Sequence, residues 1–323
     1  LGSLALRNRI IEAGCFEGTC PDGSCSEALI QHHAGIADIA HARRQFVQAA
    51  LLAREAGFDA VEIHAGHGYL LSQFLSPYTN RRGGAYGGCL ENRMRFPAEV
   101  MGAVRRALGP GSPVLVKMNI TDGMEGGLEL EEAIRVARRF QREGVSALVP
   151  SCGFTSKTPL MMLRGNVPTR EMVAVQRRWL KRMGLLLFGS FLVQEYRFQP
   201  LFLLEEASAV RRAVKIPVVL IGGVCSPEDL ERALDAGFEF VQIGRALIND
   251  PDIVNAWAWG QGDGSDCDHC NRCIPEMDGG GVSCPSNQLG LLRSPRWKCR
   301  REAGYRAPVW PSMRWRRARR SWA

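Results

Sequence analysis

The sequence predicts an α/β fold with a parallel sheet. Apolar runs of strand length alternate with helical patterns from residue 58 to residue 243. These runs are apolar almost throughout, which is typical of strands that are buried on both faces. Two segments also share one pattern, Gly-Phe-Asp-Ala-Val-Glu at 57–62 and Gly-Phe-Glu-Phe-Val-Gln at 237–242, as repeated strand–helix units do.

The individual elements follow from hydrophobic periodicity and from Gly and Pro positions. A strand is expected at 9–13, a turn near Pro21 and a helix from Ser26. A periodic helix at 38–57 ends at Gly57, which suits a helix C-terminus. The later elements are expected in this order: strand 58–64, helix 91–108, strand 114–118, helix 129–142, strand 147–150, helix 203–214, strand 218–221, helix 227–236, strand 240–243 and a short helix from Asp252.

Composition excludes several functional classes. The 323 residues are 46% hydrophobic and 23% charged, as in ordinary globular proteins, and no apolar run is long enough to span a membrane. We therefore expect no membrane partner. Eleven cysteines without a secretory leader favour a reducing compartment, so we expect a cytoplasmic location.

The net charge of +8 comes from the C-terminal tail. From Arg293 onward the chain holds eleven Lys or Arg and one acid, so the remainder sums to −2. Basic and aromatic residues together can bind nucleic acid. The tail has no apolar periodicity, however, and we favour a disordered extension over a nucleic-acid partner.

The segment from residue 61 to residue 93 is the most informative part of the chain. It begins at the end of an apolar strand and then presents His64, His67 and Tyr69 within six residues, before a Gly-rich loop. In β/α barrels the catalytic residues lie where strands end and loops begin. Two histidines at this spacing, taken alone, favour a metal site or a satisfied surface pair over a catalytic pair.

This segment resembles the Old Yellow Enzyme family of FMN-dependent oxidoreductases. The shared motifs are His-x-x-His-x-Tyr-Leu-Leu, Gln-Phe-Leu-Ser-Pro, Thr-Asn-x-Arg, Tyr-Gly-Gly and Glu-Asn-Arg. The resemblance implies a TIM (β/α)8-type barrel in which NAD(P)H reduces FMN, and FMN then reduces an electrophilic alkene or enoyl-type substrate. It implies that His64 and His67 donate hydrogen bonds to the substrate oxygen and that Tyr69 is the general acid.

The resemblance also implies cofactor-binding residues. Lys117 ends the strand Val-Leu-Val-Lys and matches the basic residue beside the flavin ring, and Cys15 would lie near that ring unless it is simply a buried cysteine. Two later strands end in glycine, which lets backbone N–H groups approach an anion. They are similar to the FMN phosphate site of the family, with the residues Gly222, Gly223, Gly244 and Arg245.

A cysteine group follows the last predicted barrel element. Cys267, Cys270, Cys273 and Cys284 have the close spacing of a metal or iron–sulfur site. This resembles the branch of the family that includes 2,4-dienoyl-CoA reductase, where a 4Fe–4S cluster passes electrons to FMN. Zinc, with His269 as a further candidate ligand, and an empty remnant remain alternatives.

The barrel is expected to be incomplete. Six strands are recognisable, whereas a closed barrel has eight. The family places two more strands at a point where Ala37 here runs directly into Asp38. We therefore predict an FMN-binding barrel at 1–262 with an internal deletion near 37/38, a Cys-rich segment at 263–285 and a basic tail at 286–323. The alternative is a catalytically inactive truncated barrel or metal-binding remnant.

Overall fold

The computed structural model of the chain describes residues 10–12, 39–176, 178–275 and 281–286, without the side chains of 10–12, 181 and 188–192. The strands in these ranges are β1 Ile10–Glu12, β2 Val61–Ala65, β3 Val114–Thr121, β4 Ala147–Cys152, β5 Val219–Ile221 and β6 Phe240–Ile243. The helices are α1 Ile39–Glu55, α2 Leu70–Leu75, α3 Leu90–Leu108, α4 Leu130–Arg142, α5 Thr169–Val175, α6 Trp179–Leu192, α7 Leu204–Ala213, α8 Pro227–Asp235, α9 Arg245–Asn249 and α10 Ile253–Ala258.

All strand pairs among the described residues are parallel. They form two sheets of three strands, in the orders β1–β6–β5 and β2–β3–β4. A parallel bridge between Leu148 and Val218 joins the sheets, and the Leu148 N–H donates to the Pro217 carbonyl at 3.0 Å. The strands therefore follow one another as β1–β6–β5–β4–β3–β2, which confirms the predicted α/β fold with a parallel sheet.

Three helices end in the same way before a strand begins. Gly57, Gly144 and Gly237 follow α1, α4 and α8 with φ values of 90°, 82° and 90°, a conformation that glycine adopts without steric cost. After α1, the Phe58 N–H donates to the Ala53 carbonyl at 3.1 Å, so Phe58 still belongs to the helix end. The predicted strand start at residue 58 is therefore wrong by three residues, and the Phe58 side chain is 67% exposed.

The hydrophobic core lies between the sheet and its outer helices. β3 and β4 are buried almost throughout, since every residue from Val114 to Ile120 and from Ala147 to Cys152 is buried. Phe96 of α3 and Phe140 of α4 have no exposed surface and pack in the same core cluster. This packing fixes β3, in which Lys117 at the middle of the strand and Asn119 nearer its carboxyl end are buried polar residues.

The structure adds elements that the sequence analysis left unassigned. α5 and α6 occupy the long segment between β4 and α7, and β3 and β4 continue past their predicted ends at 118 and 150. The predicted helix from Ser26, Cys15 and residues 287–323 of the tail lie outside the described residues. In the part of the chain that is described, no helix has the length and apolar character to cross a bilayer.

Candidate active site

Polar side chains meet at the carboxyl ends of β2, β3 and β4. His64 of β2 pairs in register with Lys117 of β3, and Asn119 of β3 pairs with Ser151 of β4. Because parallel strands end at the same edge of a sheet, these side chains face one region.

The three predicted catalytic residues lie together at this edge. The ring centroids of His64 and His67 are 4.8 Å apart and their planes are nearly perpendicular. The Tyr69 ring lies 4.9 Å from that of His64, and its side chain is 39% exposed at the start of α2. Two imidazoles and a phenol thus form one cluster with access to solvent.

Neighbouring strands hold His67 in place. Its backbone has a φ of 57°, which is uncommon for a residue other than glycine. The His67 N–H donates to Asn119 Oδ1 at 3.0 Å, and its Nε2 lies 2.7 Å from Ser151 Oγ. Asn119 Nδ2 in turn donates to Asp122 Oδ1 and to the Gly153 carbonyl at 2.7 and 2.8 Å. Asn119 and Ser151 therefore position His67, a role that the sequence analysis did not assign.

Both imidazoles are neutral at physiological pH. Burial, followed by the charge of Lys117, lowers the pKa of His64 from 6.5 to about 4. Burial, followed by His64 and Lys117, holds the pKa of His67 well below its usual value. His64 Nδ1 accepts the Gly66 N–H at 3.2 Å, so its proton resides on Nε2. The Nε2–H group of His64 can therefore donate to a ligand.

We predict that this burial makes stability depend on pH. Between pH 6.5 and about 4 the unfolded chain binds a proton on His64 that the folded chain does not. The free energy of unfolding therefore falls as the pH drops through this window. At 1.4 kcal/mol per pKa unit, His64 alone should account for roughly 3 kcal/mol at pH 4.

Urea unfolding at a series of pH values measures this effect. The matched variant is His64→Asn, whose side-chain oxygen can still accept the Gly66 N–H. The variant should lose the His64 share of the pH dependence between pH 4 and 6.5. An unchanged slope would contradict the buried, neutral state of His64.

Lys117 is buried and forms an ion pair that the sequence analysis missed. Its Nζ lies 2.8 Å from Glu62 Oε1, and Glu62 Oε2 accepts from Gln242 Nε2 at 3.1 Å. This polar chain connects β3, β2 and β6. Glu62 stands two residues before His64 in a strand, so both side chains point to the same face. That alternation is the sequence signal by which Glu62 could have been found.

We predict that Ser151 affects catalysis only by orienting His67. Ser151→Ala removes the Oγ atom that lies 2.7 Å from His67 Nε2, and Ser151 is 3% exposed. We expect the acceptor reduction that the family resemblance implies to slow by about tenfold, since the loss of an orienting partner commonly costs this much. Stopped-flow measurement of the two half-reactions checks this, and Ser146→Ala, outside this cluster, is the control. A loss as large as that of His67→Ala would show that Ser151 contacts the substrate.

The predicted phosphate-binding residues follow β5 and β6. Gly222 and Gly223 have φ values of 104° and 89°, and Gly244 precedes α9. Arg245 Nη1 donates to the Arg164 carbonyl at 2.9 Å and to Asn271 Oδ1 at 2.7 Å. The structure thus brings Arg245 to the same end of the sheet as the glycines.

Arg164 is a second guanidinium near these glycines. Its Cζ lies 4.3 Å from the centroid of the Phe202 ring, and a Cβ added to Gly222 would lie 3.0 Å from Phe202 Cζ. Arg164 Nε is buried and has no hydrogen-bond partner among the described residues. A buried donor beside a glycine turn suits an anionic ligand such as a phosphate. Arg164 lies in the segment that the sequence analysis left unassigned.

The cysteine group lies beside Arg245. Cys270 Sγ accepts from Arg272 Nε at 3.3 Å, and Cys284 Sγ accepts from Asn249 Nδ2 at 3.4 Å. Burial raises the pKa of the Cys273 thiol to about 12.

The chain around these thiols is closely packed, because His269 stacks on Phe198 with ring centroids 3.4 Å apart. Burial also raises the pKa of Cys267, against the opposing effects of a backbone hydrogen bond from His269 and of the Arg245 charge. Within the described ranges, no three His, Cys, Asp or Glu side chains lie close enough to hold a metal ion. The metal or iron–sulfur site with Cys267, Cys270, Cys273 and Cys284 stays a prediction.

Comparison with known proteins gives the family. Residues 3–151 match the model of the NADH:flavin oxidoreductase / NADH oxidase family, and residues 203–265 match a histidine biosynthesis protein model. The 4,4'-dithiodibutanoate disulfide reductase of Rhodococcus erythropolis is 36% identical to this chain. The alignment, gaps included, runs over 387 residues and covers 92% of this chain and 96% of that relative. The chain belongs to the NADH:flavin oxidoreductase family. The predicted family is therefore confirmed.

Other members of the family are longer than this chain. The NADH oxidase of Thermoanaerobacter brockii is 32% identical over 210 residues, which cover 65% of this chain but 28% of that relative. A complex of 2-naphthoyl-CoA reductase with 2-naphthoyl-CoA has a TM-score of 0.61 at 22% identity, covering 80% of this chain and 36% of the other. The old yellow enzyme homologue from Zymomonas mobilis has a TM-score of 0.51 at 23% identity, covering 77% and 57%. These structures confirm the predicted α/β barrel.

Membership of the NADH:flavin oxidoreductase family makes the chain a flavin-dependent NAD(P)H oxidoreductase. The predictions of an enzyme, of FMN as cofactor and of a nicotinamide reductant are therefore confirmed at the level of the family. The comparisons give no support to the alternative of an inactive remnant.

Proposed function

We propose that this NADH:flavin oxidoreductase reduces an electrophilic alkene or enoyl-type substrate. The observation that carries the proposal is the cluster of His64, His67 and Tyr69, in which the rings of His67 and Tyr69 each lie within 5 Å of the His64 ring. Neutral imidazoles are suited to donate hydrogen bonds to a carbonyl or nitro oxygen, because their N–H groups carry no charge that would need a counter-ion.

When FMN is bound, it would supply the hydride that reduces the substrate. Lys117 would lie beside the flavin ring, and Gly222, Gly223, Gly244 and Arg245 would hold the phosphate, as the resemblance implies. The buried Arg164 Nε supports this assignment and adds a donor to the phosphate side. Cys15, which lies outside the described residues, stays a predicted ring contact.

Three residues of the chain have separate roles in the proposed reaction. His64 and His67 donate hydrogen bonds to the substrate oxygen and stabilise the negative charge that develops there. Tyr69 donates its phenolic proton to the α-carbon as general acid. Because the Tyr69 side chain is 39% exposed, its proton can be replaced from solvent after each turnover.

We also propose that two barrel strands are missing near residues 37/38. The alignment with the disulfide reductase runs over 387 residues, more than the 323 of this whole chain. That relative therefore holds residues without a counterpart here, which supports an internal deletion. The domain limits 1–262, 263–285 and 286–323, the 4Fe–4S or zinc site and the cytoplasmic location likewise stay proposals.

Flavin titration of the full chain tests the proposed function. We expect FMN to bind and to develop a protein-bound visible spectrum, and NADH or NADPH to bleach it until an activated alkene is added. Lys117→Met should weaken FMN binding, while Lys215→Met, which changes an exposed lysine, should not. A chain that folds but binds no FMN would refute the proposal.

A further inference from the structure

α6 presents a large apolar surface to solvent. Eight large hydrophobic side chains are exposed among the described residues, and five of them belong to this one helix. The five are Trp179, Leu180, Met183, Leu186 and Leu187, with exposed fractions of 71, 66, 44, 58 and 64%. Contiguous apolar patches on a soluble surface mark sites of interaction.

The five residues share one face of the helix. They recur at a spacing of three to four positions, as required for a continuous stripe. The helix has 14 residues and is therefore about 21 Å long, whereas the hydrocarbon core of a bilayer is about 30 Å thick. α6 is too short to cross a bilayer but long enough to lie on one.

The charge around α6 is strongly positive. Residues 169–197 contain six Lys or Arg and two Glu, a net charge of +4, although the chain before Arg293 sums to −2. Arg178 and Arg182 are exposed beside the apolar stripe. The two acids, Glu171 and Glu195, lie beyond the two ends of the helix. The exposed apolar residues and the positive charge therefore occur in the same segment.

We propose that α6 binds the surface of a bilayer that contains anionic lipid. Trp179 and the leucines enter the boundary between headgroups and acyl chains, and Arg178 and Arg182 remain among the anionic headgroups. A second copy of this chain fits the surface less well, because it would bring another group of positive charges against the first. This proposal is independent of the proposed reaction, and it departs from the expectation, drawn from composition, that the chain has no membrane partner.

The test uses the full chain and vesicles of defined composition. Co-sedimentation is measured with phosphatidylcholine vesicles and with vesicles of phosphatidylcholine and phosphatidylglycerol. We expect binding to the mixed vesicles, with much weaker binding to phosphatidylcholine alone. The binding should weaken as salt is added, because salt screens exposed charges.

Three variants separate the contributions. Leu186→Asp should reduce binding to mixed vesicles by about tenfold or more, because a charged side chain replaces one that the lipid buries. Leu52→Asp is the matched control, since Leu52 of α1 is 56% exposed and Leu186 is 58% exposed. Arg178→Gln combined with Arg182→Gln lowers the net charge of residues 169–197 from +4 to +2 and should reduce both the preference for phosphatidylglycerol and the salt dependence of binding.

The outcomes are decisive once circular dichroism shows that each variant is folded. The proposal is overturned if the wild-type chain binds neither vesicle, or if Leu52→Asp reduces binding as much as Leu186→Asp. It is also overturned if light scattering without lipid shows self-association that Leu186→Asp abolishes and no vesicle binding occurs. That last result would assign α6 to a contact between copies of the chain.

Discussion

Tyr69→Phe is expected to slow reduction of the acceptor by about 10²-fold or more, while reduction of the flavin by NADH or NADPH is unchanged. The substitution removes the phenolic proton but keeps the ring that lies 4.9 Å from His64. General acid catalysis contributes about 10²–10⁴-fold, and only the half-reaction that protonates the substrate needs it.

Stopped-flow absorbance of the flavin measures each half-reaction separately. Tyr78→Phe is the matched control, because Tyr78 contacts Lys157 and Arg81 through its ring and lies outside the cluster. Equal losses in both half-reactions of Tyr69→Phe would remove the proton-donor role. They would instead indicate that Tyr69 maintains the structure of the site.

His67→Ala is expected to slow acceptor reduction by about 10²–10³-fold, the usual cost of losing one donor to a developing oxyanion. Binding of the substrate in its ground state should weaken much less, because the charge on the oxygen is greatest in the transition state. The single-turnover rate of acceptor reduction, measured over a range of substrate concentrations, separates the two effects.

A double variant identifies how Ser151 acts. If Ser151 works only through His67, Ser151→Ala should add no further loss to His67→Ala, since effects that pass through one residue are not additive. His41→Ala, an exposed histidine on α1, is the control for loss of an imidazole elsewhere. Additive losses would mean that Ser151 and His67 act separately.

Local patterns sufficed to predict much of the fold. The strands follow from apolar runs, and the helix ends follow from Gly57 and Gly237, where glycine alone adopts the required φ without strain. His64, His67 and Tyr69 could be found because they lie within six residues of one another. Each of these features depends on neighbours in the sequence.

The remaining features depend on contacts between distant residues. Lys117 of β3 forms an ion pair with Glu62 of β2. His67, which follows β2, is held by hydrogen bonds to Asn119 of β3 and Ser151 of β4. Arg164 packs on Phe202, which in turn contacts Gly222, and both Arg164 and Phe202 come from the segment between β4 and α7. The apolar residues of α6 recur at helical spacing, but the spacing does not reveal that this face stays exposed instead of packing on the core.

The pairing of β1 with β6 also governs how the chain can acquire its structure. Ile10 lies opposite Val241 and Glu12 opposite Ile243, so this contact joins the first described strand to the last. In the described sheet β6 is the only strand next to β1. During synthesis β1 therefore cannot pair until β6 has left the ribosome. Contacts between such distant segments slow folding and expose unpaired strand edges to aggregation. Slow recovery from denaturant and a need for chaperones during expression are the expected consequences.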